Sequence, residues 1–360
     1  MSLALDILDL ARWAPSGDNS QPWRFDVLGD DRVRVNAFDT RRHCVYDLEG
    51  HASQLSVGAM LETMRIAARG RGRHARIERR TEAPEEAPVF DVRFEPAQES
   101  AADDLEPAIR ERSVMRKPLS RRRLRAADKQ RLEAAVGDSF RVLWFESAGQ
   151  RLELAWLAVR NARIRLTIPE AYAVHREIIE WDARYSEDRV PDQALGADAL
   201  SLRSMRWAMA SWERVALMNR WFGGTLAPRL QLDLLPGLFC AGHFALVAAK
   251  TPEGIDDYLR AGAAVQRLWL TATRLGLQLQ PQYTPLVFAE YVRRGIEFTS
   301  TAPARERAAW VERRLASLLG EMVAPATMFL GRVGYGEAAR SRSLRLPLER
   351  LVAASPPDER

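Results

Sequence analysis

Apolar residues at the start of the chain recur at helical spacing. Leu3, Ile7, Leu10 and Ala14 fall on one face, which predicts a helix over residues 3–14. The pattern then breaks. "APSGDNSQPW" (14–23) strings together Pro15, Ser16, Gly17, Asp18, Asn19, Ser20, Gln21 and Pro22 before an aromatic anchor at Trp23. Most of these residues end helices or hydrogen-bond their own backbone. Alternation takes over next: "RFDVL" and "RVRVNAF" read as a strand pair around the turn at Gly29, Asp30 and Asp31. "SQLSVGAMLETMRIAA" (53–68) returns to the helical period and is closed by "RGRG", and "APVFDVRFEP" reads as a further strand. The acidic, alanine-rich piece from Gln98 to Glu106 predicts a linker.

A second unit opens at "AIRERSVMRKPLSRRRLRAADKQRLEAAV", with helical stretches, and runs into the strand "FRVLWFES". From Arg151 to about Pro236 the chain reads as mainly helical and is heavy in Trp and Met. "HFALVAAK" is a strand, 256–275 a long helix, "MFLGRVGY" a late strand, and the end is basic and contains proline. The two units echo each other at an offset of 204 residues: Gly58 with Gly262, Ala59 with Ala263, Ile66 with Leu270, Ala68 with Ala272 and Gly72 with Gly276. Small residues at such positions let a helix pack closely on a neighbour. "FRVLWFE" follows a helix ending "RLEAAV", as "WRFDVL" follows "DLARWA". The second copy lacks the "PSGDNSQPW" corner, and it alone is preceded by "RERSVMRKP".

The 360 residues suffice for two domains with real cores, and the composition is that of an ordinary globular protein. A net charge of +5 suits an anionic small molecule and is too diffuse to indicate nucleic acid. Cys44 and Cys240 stand alone, which points to reduced thiols and away from disulfides or a thiolate metal site. "MSLALDILDL" has no basic n-region and reads as a helix and not a signal peptide. "LLPGLFCAGHFALVAA" (234–249) is too short to span a bilayer. A cytoplasmic protein with neither a nucleic-acid nor a membrane partner is the expectation.

No zinc spacing, phosphate loop, G-x-G-x-x-G or G-x-S-x-G elbow occurs, so neither a metal site nor a catalytic residue is assigned. His243 and the "HCVYD" run at His43 read as structural. Three pieces carry chemistry. In the corner, Asn19 and Gln21 offer donors and acceptors and Ser16 a hydroxyl, while Pro15 and Pro22 stiffen the loop; the alternative is an elaborate helix cap. In "RERSVMRKP", Arg112 and Arg116 at i and i+4 would share one face of a helical turn, with Ser113 beside them, suiting a phosphate; the alternative is a solvated basic face, which is the reading for "SRRRLR" (120–125). In the tail "GYGEAARSRSLRLPLERLV", Arg342 and Arg345 are placed to join a phosphate site from afar.

Together these pieces resemble the nitroreductase family of FMN-dependent oxidoreductases. "APSGDNSQPWRF" is similar to its A-P-S-x-x-N-x-Q-P-W signature, "RERSVMRKP" more loosely to its R-x-x-R-S-x-x-R opening, "AGAAVQRLWLTATRLGL" to its central helix and "RLPLERLV" to its basic tail. The order of parts, with "FDTRRHCVYD" and "GAMLETMRIAA" early, resembles the two-module, Acg-like branch. The resemblance implies an α+β nitroreductase-like fold of two fused modules, 1–105 and 106–360, forming an intramolecular pseudo-dimer with one complete flavin site and one erased site. It would live as a monomer or pair further as a homodimer. Carried over by position, Pro15, Ser16, Gly17 and Asn19 would line the isoalloxazine side, with Gln21 also counted among the cofactor-binding residues. Arg112, Ser113 and Arg116 would hold the phosphate, helped by Arg345 and Arg342. "LQPQYTP" (279–285) would offer a backbone N–H to the flavin near Gln282 or Tyr283. The implied activity is hydride transfer from NADH or NADPH through FMN to an electron-poor small-molecule acceptor. A flavin-storing, sequestering or redox-sensing protein is the alternative, and a non-flavin scaffold a third.

Residues 155–240 depart from the family core. "SMRWAMASWERVALMNRWFGG" places Met205, Met209, Trp212 and Ala216 on one helical face, with Trp221 and Phe222 ahead of Gly223 and Gly224. This insertion reads either as a packed extra helix or as a lid over the flavin, with the two glycines as its hinge.

Overall fold

The computed structural model describes residues 2–97, 103–221 and 224–352. Its first half runs α1 (Leu3–Ala11), β1 (Trp23–Val27), β2 (Arg32–Ala37), α2 (His51–Arg69), β3 (Arg73–Arg79) and β4 (Val89–Pro96). The strands form one antiparallel sheet in the order β1-β2-β4-β3. Alternation does the work: Trp23 and Phe25, Val33 and Val35, and Phe90, Val92 and Phe94 turn inward against Ile7, Leu8, Met60 and Met64. Sequence periodicity does not reveal β3, because only Ala75 and Ile77 of its seven residues are apolar. It is an edge strand, and charge on an edge hides a strand's period while protecting it from pairing with other chains.

The second half repeats this arrangement with insertions. After α3 (Ala108–Glu111) come α4 (Ala126–Ala135) and β5 (Phe140–Phe145). The chain then leaves the sheet through α5 (Ala148–Arg165), α6 (Pro169–Ile178), the two-residue strands β6 (Ile179–Glu180), β7 (Tyr185–Ser186) and β8 (Val190–Pro191), α7 (Ala199–Ala208), α8 (Trp212–Trp221), α9 (Leu226–Pro228), a π-helical stretch Arg229–Leu234 and α10 (Leu235–Leu238). It returns as β9 (Gly242–Ala248), α11 (Ile255–Arg274), β10 (Leu277–Pro281), α12 (Thr284–Arg293), α13 (Ala302–Leu319) and β11 (Thr327–Tyr335). The tail carries β12 (Arg342–Ser343) and α14 (Leu348–Val352). The second sheet, read β5-β9-β11-β10, has the strand order of the first, with the central helix after its second strand in both.

Helices α2 and α11 pack face to face at the glycines of the echo. A Cβ added at Gly58 would lie 2.1 Å from the carbonyl oxygen of Leu259, and one at Gly262 2.0 Å from that of Leu55. Leu55 and Leu259 stand at the same offset as the glycines, so the contact is reciprocal, as at a two-fold interface. The polar pairs obey the same rule. Gln266 Nε2 donates to Thr63 Oγ1 (2.8 Å) and Arg267 Nη1 to Glu62 (3.1 Å), each pair being the other's counterpart. Gly72 and Gly276 leave the two helices with left-handed φ of 66° and 70°, which a side chain would oppose.

The halves also exchange side chains. Leu105, Ala108, Ile109, Leu346 and Leu351 complete the first core, while Tyr46 and Leu48 join Leu157, Phe288 and Leu330 in the second. A boundary at residue 105 therefore separates the sheets and not the cores. Of the expected linker, 98–102 lie outside the described residues; Asp103 pairs with Arg69 and Arg267, and Glu106 with Arg71. Among the described residues no helix is long and apolar enough to cross a membrane, and no group of His, Cys, Asp and Glu gathers that could hold a metal.

Candidate functional site

The corner between α1 and β1 is strained. Asp18 (φ 51°), Asn19 (63°) and Gln21 (48°) all adopt the left-handed conformation that non-glycine residues avoid. Each costs roughly 1–3 kcal/mol and persists only where its surroundings over-determine it. Here Ser16 Oγ accepts from the Gln21 N–H (3.0 Å) and Ser56 Oγ from the Gly17 N–H (3.3 Å). Pro15 is half-buried, and Gly17 is exposed with nothing within 4 Å of an added Cβ.

Arginines converge on the start of this corner from both ends of the second half. Arg112 Nη2 donates to the Trp13 carbonyl (3.1 Å) and Arg345 Nε to the Ala14 carbonyl (2.9 Å). Arg342 donates to the Arg110 carbonyl (2.8 Å) and lies 5.5 Å from the Trp13 ring. The Arg112 guanidinium stacks over Trp269 at 4.6 Å. Among the described residues no carboxylate pairs with Arg112, Arg342 or Arg345; Asp9 serves only Arg12 and Arg110. Burial, then the charges of Arg345 and Arg342, holds Arg112 well below its ordinary range, and burial takes Arg345 down to about 9. Arg112 Nε, Arg342 Nε and Trp13 Nε1 are buried donors without an acceptor. Such a cluster calls for an anion.

Arg112 and Arg116 do not share a helical face. The helix ends at Glu111, Arg112 takes ψ 128°, Val114 bridges Leu279 in parallel, and Pro118 disfavours the helical conformation just before it. The extended backbone sends Arg116 away from the cluster, where Nη1 donates to the Ala194 carbonyl (3.0 Å). Ser113 is half-buried between them. Arg116 also lies within electrostatic reach of Asp18 and Arg165. Burial pushes the Asp18 carboxyl up against the pull of these two arginines. Arg165 pairs with Asp233 (3.4 Å), whose carboxyl burial raises to about 6. Tyr46 Oη and His175 Nε2 meet at 3.0 Å; burial lowers the histidine to about 3 and raises the tyrosine, so both are neutral at pH 7. Sequence reasoning missed Arg165, His175 and Asp233, which lie in the insertion with no recognisable spacing, and passed over Tyr46 within "HCVYD".

A strap built from 179–194 covers the corner. Asn19 Nδ2 donates to the carbonyls of Glu187 and Arg189 (both 3.1 Å), Gln21 Nε2 to that of Glu187 (2.8 Å), and Gln21 Oε1 accepts from the Leu346 N–H (2.9 Å). β7 pairs in parallel with β12, so the strap is stitched to the arginine-bearing tail. The corner's amides thus hold protein, with Asn19 Oδ1 left unpartnered. Gln21→Ala is expected to cost about 1–3 kcal/mol of local stability and to speed tryptic cleavage at Arg184 and Arg189; unchanged cleavage would separate the strap from the corner. This cover belongs to the 155–240 insertion, read as a packed extra helix or as a lid; within that insertion the stretch 204–221 packs on α6. Met205, Met209 and Trp212 are half-buried, and Tyr172 packs on Trp212 at 5.6 Å and donates its hydroxyl to the Met209 carbonyl. Ala216 is exposed, Phe222 and Gly223 lie outside the described residues, and Gly224 donates to the Met218 carbonyl in a turn.

Gln282 is spent as well. Its backbone N–H donates to the Leu330 carbonyl and is not offered to a ring, while its side-chain Oε1 meets His243 Nδ1 at 2.8 Å. His243, also bonded to the Gly237 carbonyl, is the core residue expected of it. Tyr283 is half-buried at the head of α12, beside Phe329. Cys44 and Cys240 are free thiols.

No family model matches the chain, and no curated protein does. Several solved structures align with part of it, among them two nitroreductases. One is a nitroreductase with bound FMN from Bacteroides fragilis NCTC 9343, 13% identical over 65% of this chain and 89% of that one, with a TM-score of 0.32. The other is the FMN-dependent nitroreductase NfnB from Mycobacterium smegmatis in complex with NADPH, 17% identical over 70% and 97%, with a TM-score of 0.31.

Proposed function

We propose that the chain is an FMN-dependent oxidoreductase of nitroreductase type, built as two fused modules of the Acg-like kind that form one flavin site between them. The observation that carries this reading is the set Arg112, Arg342 and Arg345: three guanidiniums, two of them buried, with no carboxylate partner among the described residues and with orphaned N–H groups beside the corner. They fit a phosphate. The corner from Pro15 to Asn19 would wall the cofactor from the first module, with Gly17 offering open space. The reciprocal α2–α11 seam explains why these parts come from different halves of one chain.

Bound FMN would supply two-electron transfer between a nicotinamide and an electron-poor acceptor. The chain contributes binding and exclusion of water. Arg112, Arg342 and Arg345 would neutralise the phosphate, and the strap seals the corner. The neutral Tyr46–His175 pair holds a proton at Tyr46 Oη. No further acid or base is required of the protein.

A second reading has its own support. The amides of Asn19 and Gln21 grip the strap, which favours a flavin-sequestering or redox-sensing protein that does not turn over nicotinamide. One experiment separates the readings. The spectrum and stoichiometry of bound flavin should give one FMN per chain, and anaerobic mixing with NADH or NADPH should bleach it within seconds. Flavin that stays oxidised supports sequestration. A colourless protein indifferent to added FMN removes both readings, and two flavins per chain remove the single shared site.

A further inference from the structure

The hairpin of α7 and α8 turns an unpartnered face outward. Neither helix buries a residue. Leu200, Arg203, Ser204 and Trp207 are exposed at the i, i+3, i+4, i+7 spacing of one helical face, and Arg214, Leu217 and Trp221 continue the exposed surface on α8. Leu200 is 75% exposed and Trp221 67%. More than half of the large exposed apolar side chains among the described residues fall between Leu200 and Phe239. A concentration of this kind marks an interaction surface. Its orientation is fixed from the inner side, where Tyr172 meets Trp212 and Asn219 Nδ2 donates to the Leu166 carbonyl (2.7 Å).

Charge decides the partner. α7 and α8 hold four arginines against one acidic residue, Glu213. Arg206 pairs with Asp182, whereas Arg203, Arg214 and Arg220 have no carboxylate partner among the described residues. Two of these lie against the exposed indoles, Arg214 at 5.1 Å from Trp207 and Arg220 at 5.2 Å from Trp221. We propose that this face docks on an anionic lipid surface, with Leu200, Trp207, Leu217 and Trp221 in the headgroup layer and the arginines on lipid phosphates. Leucine and tryptophan interleaved with arginine are the composition of a helix that lies in a membrane interface. A second copy seated on the same face would bring like charges together. The expectation of no membrane partner came from the lack of a spanning segment, and a surface-lying hairpin needs none. The proposal is independent of the flavin reading.

The test uses the full chain and vesicle co-sedimentation. Vesicles of phosphatidylglycerol and phosphatidylcholine in equal parts should capture the protein and shift its tryptophan emission to the blue. Pure phosphatidylcholine should bind at least about tenfold more weakly, since each arginine near an anionic surface is worth roughly fivefold. Arg203→Ala/Arg214→Ala/Arg220→Ala should lose the preference for anionic vesicles. Trp207→Glu/Leu217→Glu/Trp221→Glu should lose binding about tenfold or more with its thermal unfolding unchanged, since these side chains face solvent. Equal, weak capture by both vesicle types overturns the proposal. So does a concentration-dependent dimer that the glutamate variant abolishes while vesicle binding is absent.

Discussion

Gly262→Ala is expected to destabilise the protein by about 3 kcal/mol or more, although it replaces a poor helix former with the best one. The gain in helix propensity is about 1 kcal/mol. Against it stands a methyl group 2.0 Å from the Leu55 carbonyl oxygen and 2.8 Å from its carbon, both backbone atoms that no rotamer change can move. Relief requires α2 and α11 to separate, and with them the Thr63–Gln266 and Glu62–Arg267 pairs. Because the contact is reciprocal, Gly58→Ala should cost nearly as much, its methyl lying 2.1 Å from the Leu259 carbonyl oxygen. Gly149→Ala is the control: it also sits in a helix, but an added Cβ meets nothing within 4 Å. It should be neutral or stabilising by up to about 1 kcal/mol. Urea unfolding of the three variants checks this. Losses below about 0.5 kcal/mol at both seam glycines would mean that the helices do not meet this closely.

That seam was legible in the chain because the requirement is local and repeated. A glycine at one position of each helix, an alanine beside it and a left-handed glycine after the last turn are all visible as letters. The strands of the two sheets were legible for the same reason wherever one face is apolar, and β3 escaped because an edge strand of alternating charge shows no such face. The corner announced itself through residues that tolerate unusual backbone. What it holds did not, since the acceptors of Asn19 and Gln21 are backbone carbonyls more than 160 residues away in the insertion. No side-chain pattern encodes a carbonyl. Residue spacing misled in one place: Arg112 and Arg116 at i and i+4 imply a shared face only in a helix, and the bridge from Val114 to Leu279 makes that stretch extended. A tertiary pairing overrode a local propensity, which sequence period cannot report.

The split between those two arginines gives the second large effect. Arg112→Ala and Arg345→Ala should each weaken FMN binding about ten- to a hundredfold, the loss of one charged hydrogen bond of roughly 1.5–3 kcal/mol. Neither should much change the affinity for riboflavin, which shares the ring and lacks the phosphate. Arg116→Ala should behave differently. Its guanidinium donates to the Ala194 carbonyl, within reach of the charges of Asp18 and Arg165, so any loss should fall alike on FMN and riboflavin. Two ligands titrated against three variants therefore distinguish a phosphate contact from a ring-side one. If Arg116→Ala discriminates between the ligands and Arg112→Ala does not, the anion lies beside Arg116 and the cluster at Trp13 is structural. If no variant discriminates, the unpaired guanidiniums serve the carbonyls of Trp13 and Ala14 alone. The expected pattern requires burial to work in the ligand's favour. Three cations held together, two of them buried, with no carboxylate partner among the described residues repel one another, and a phosphate dianion relieves that repulsion while gaining charged donors.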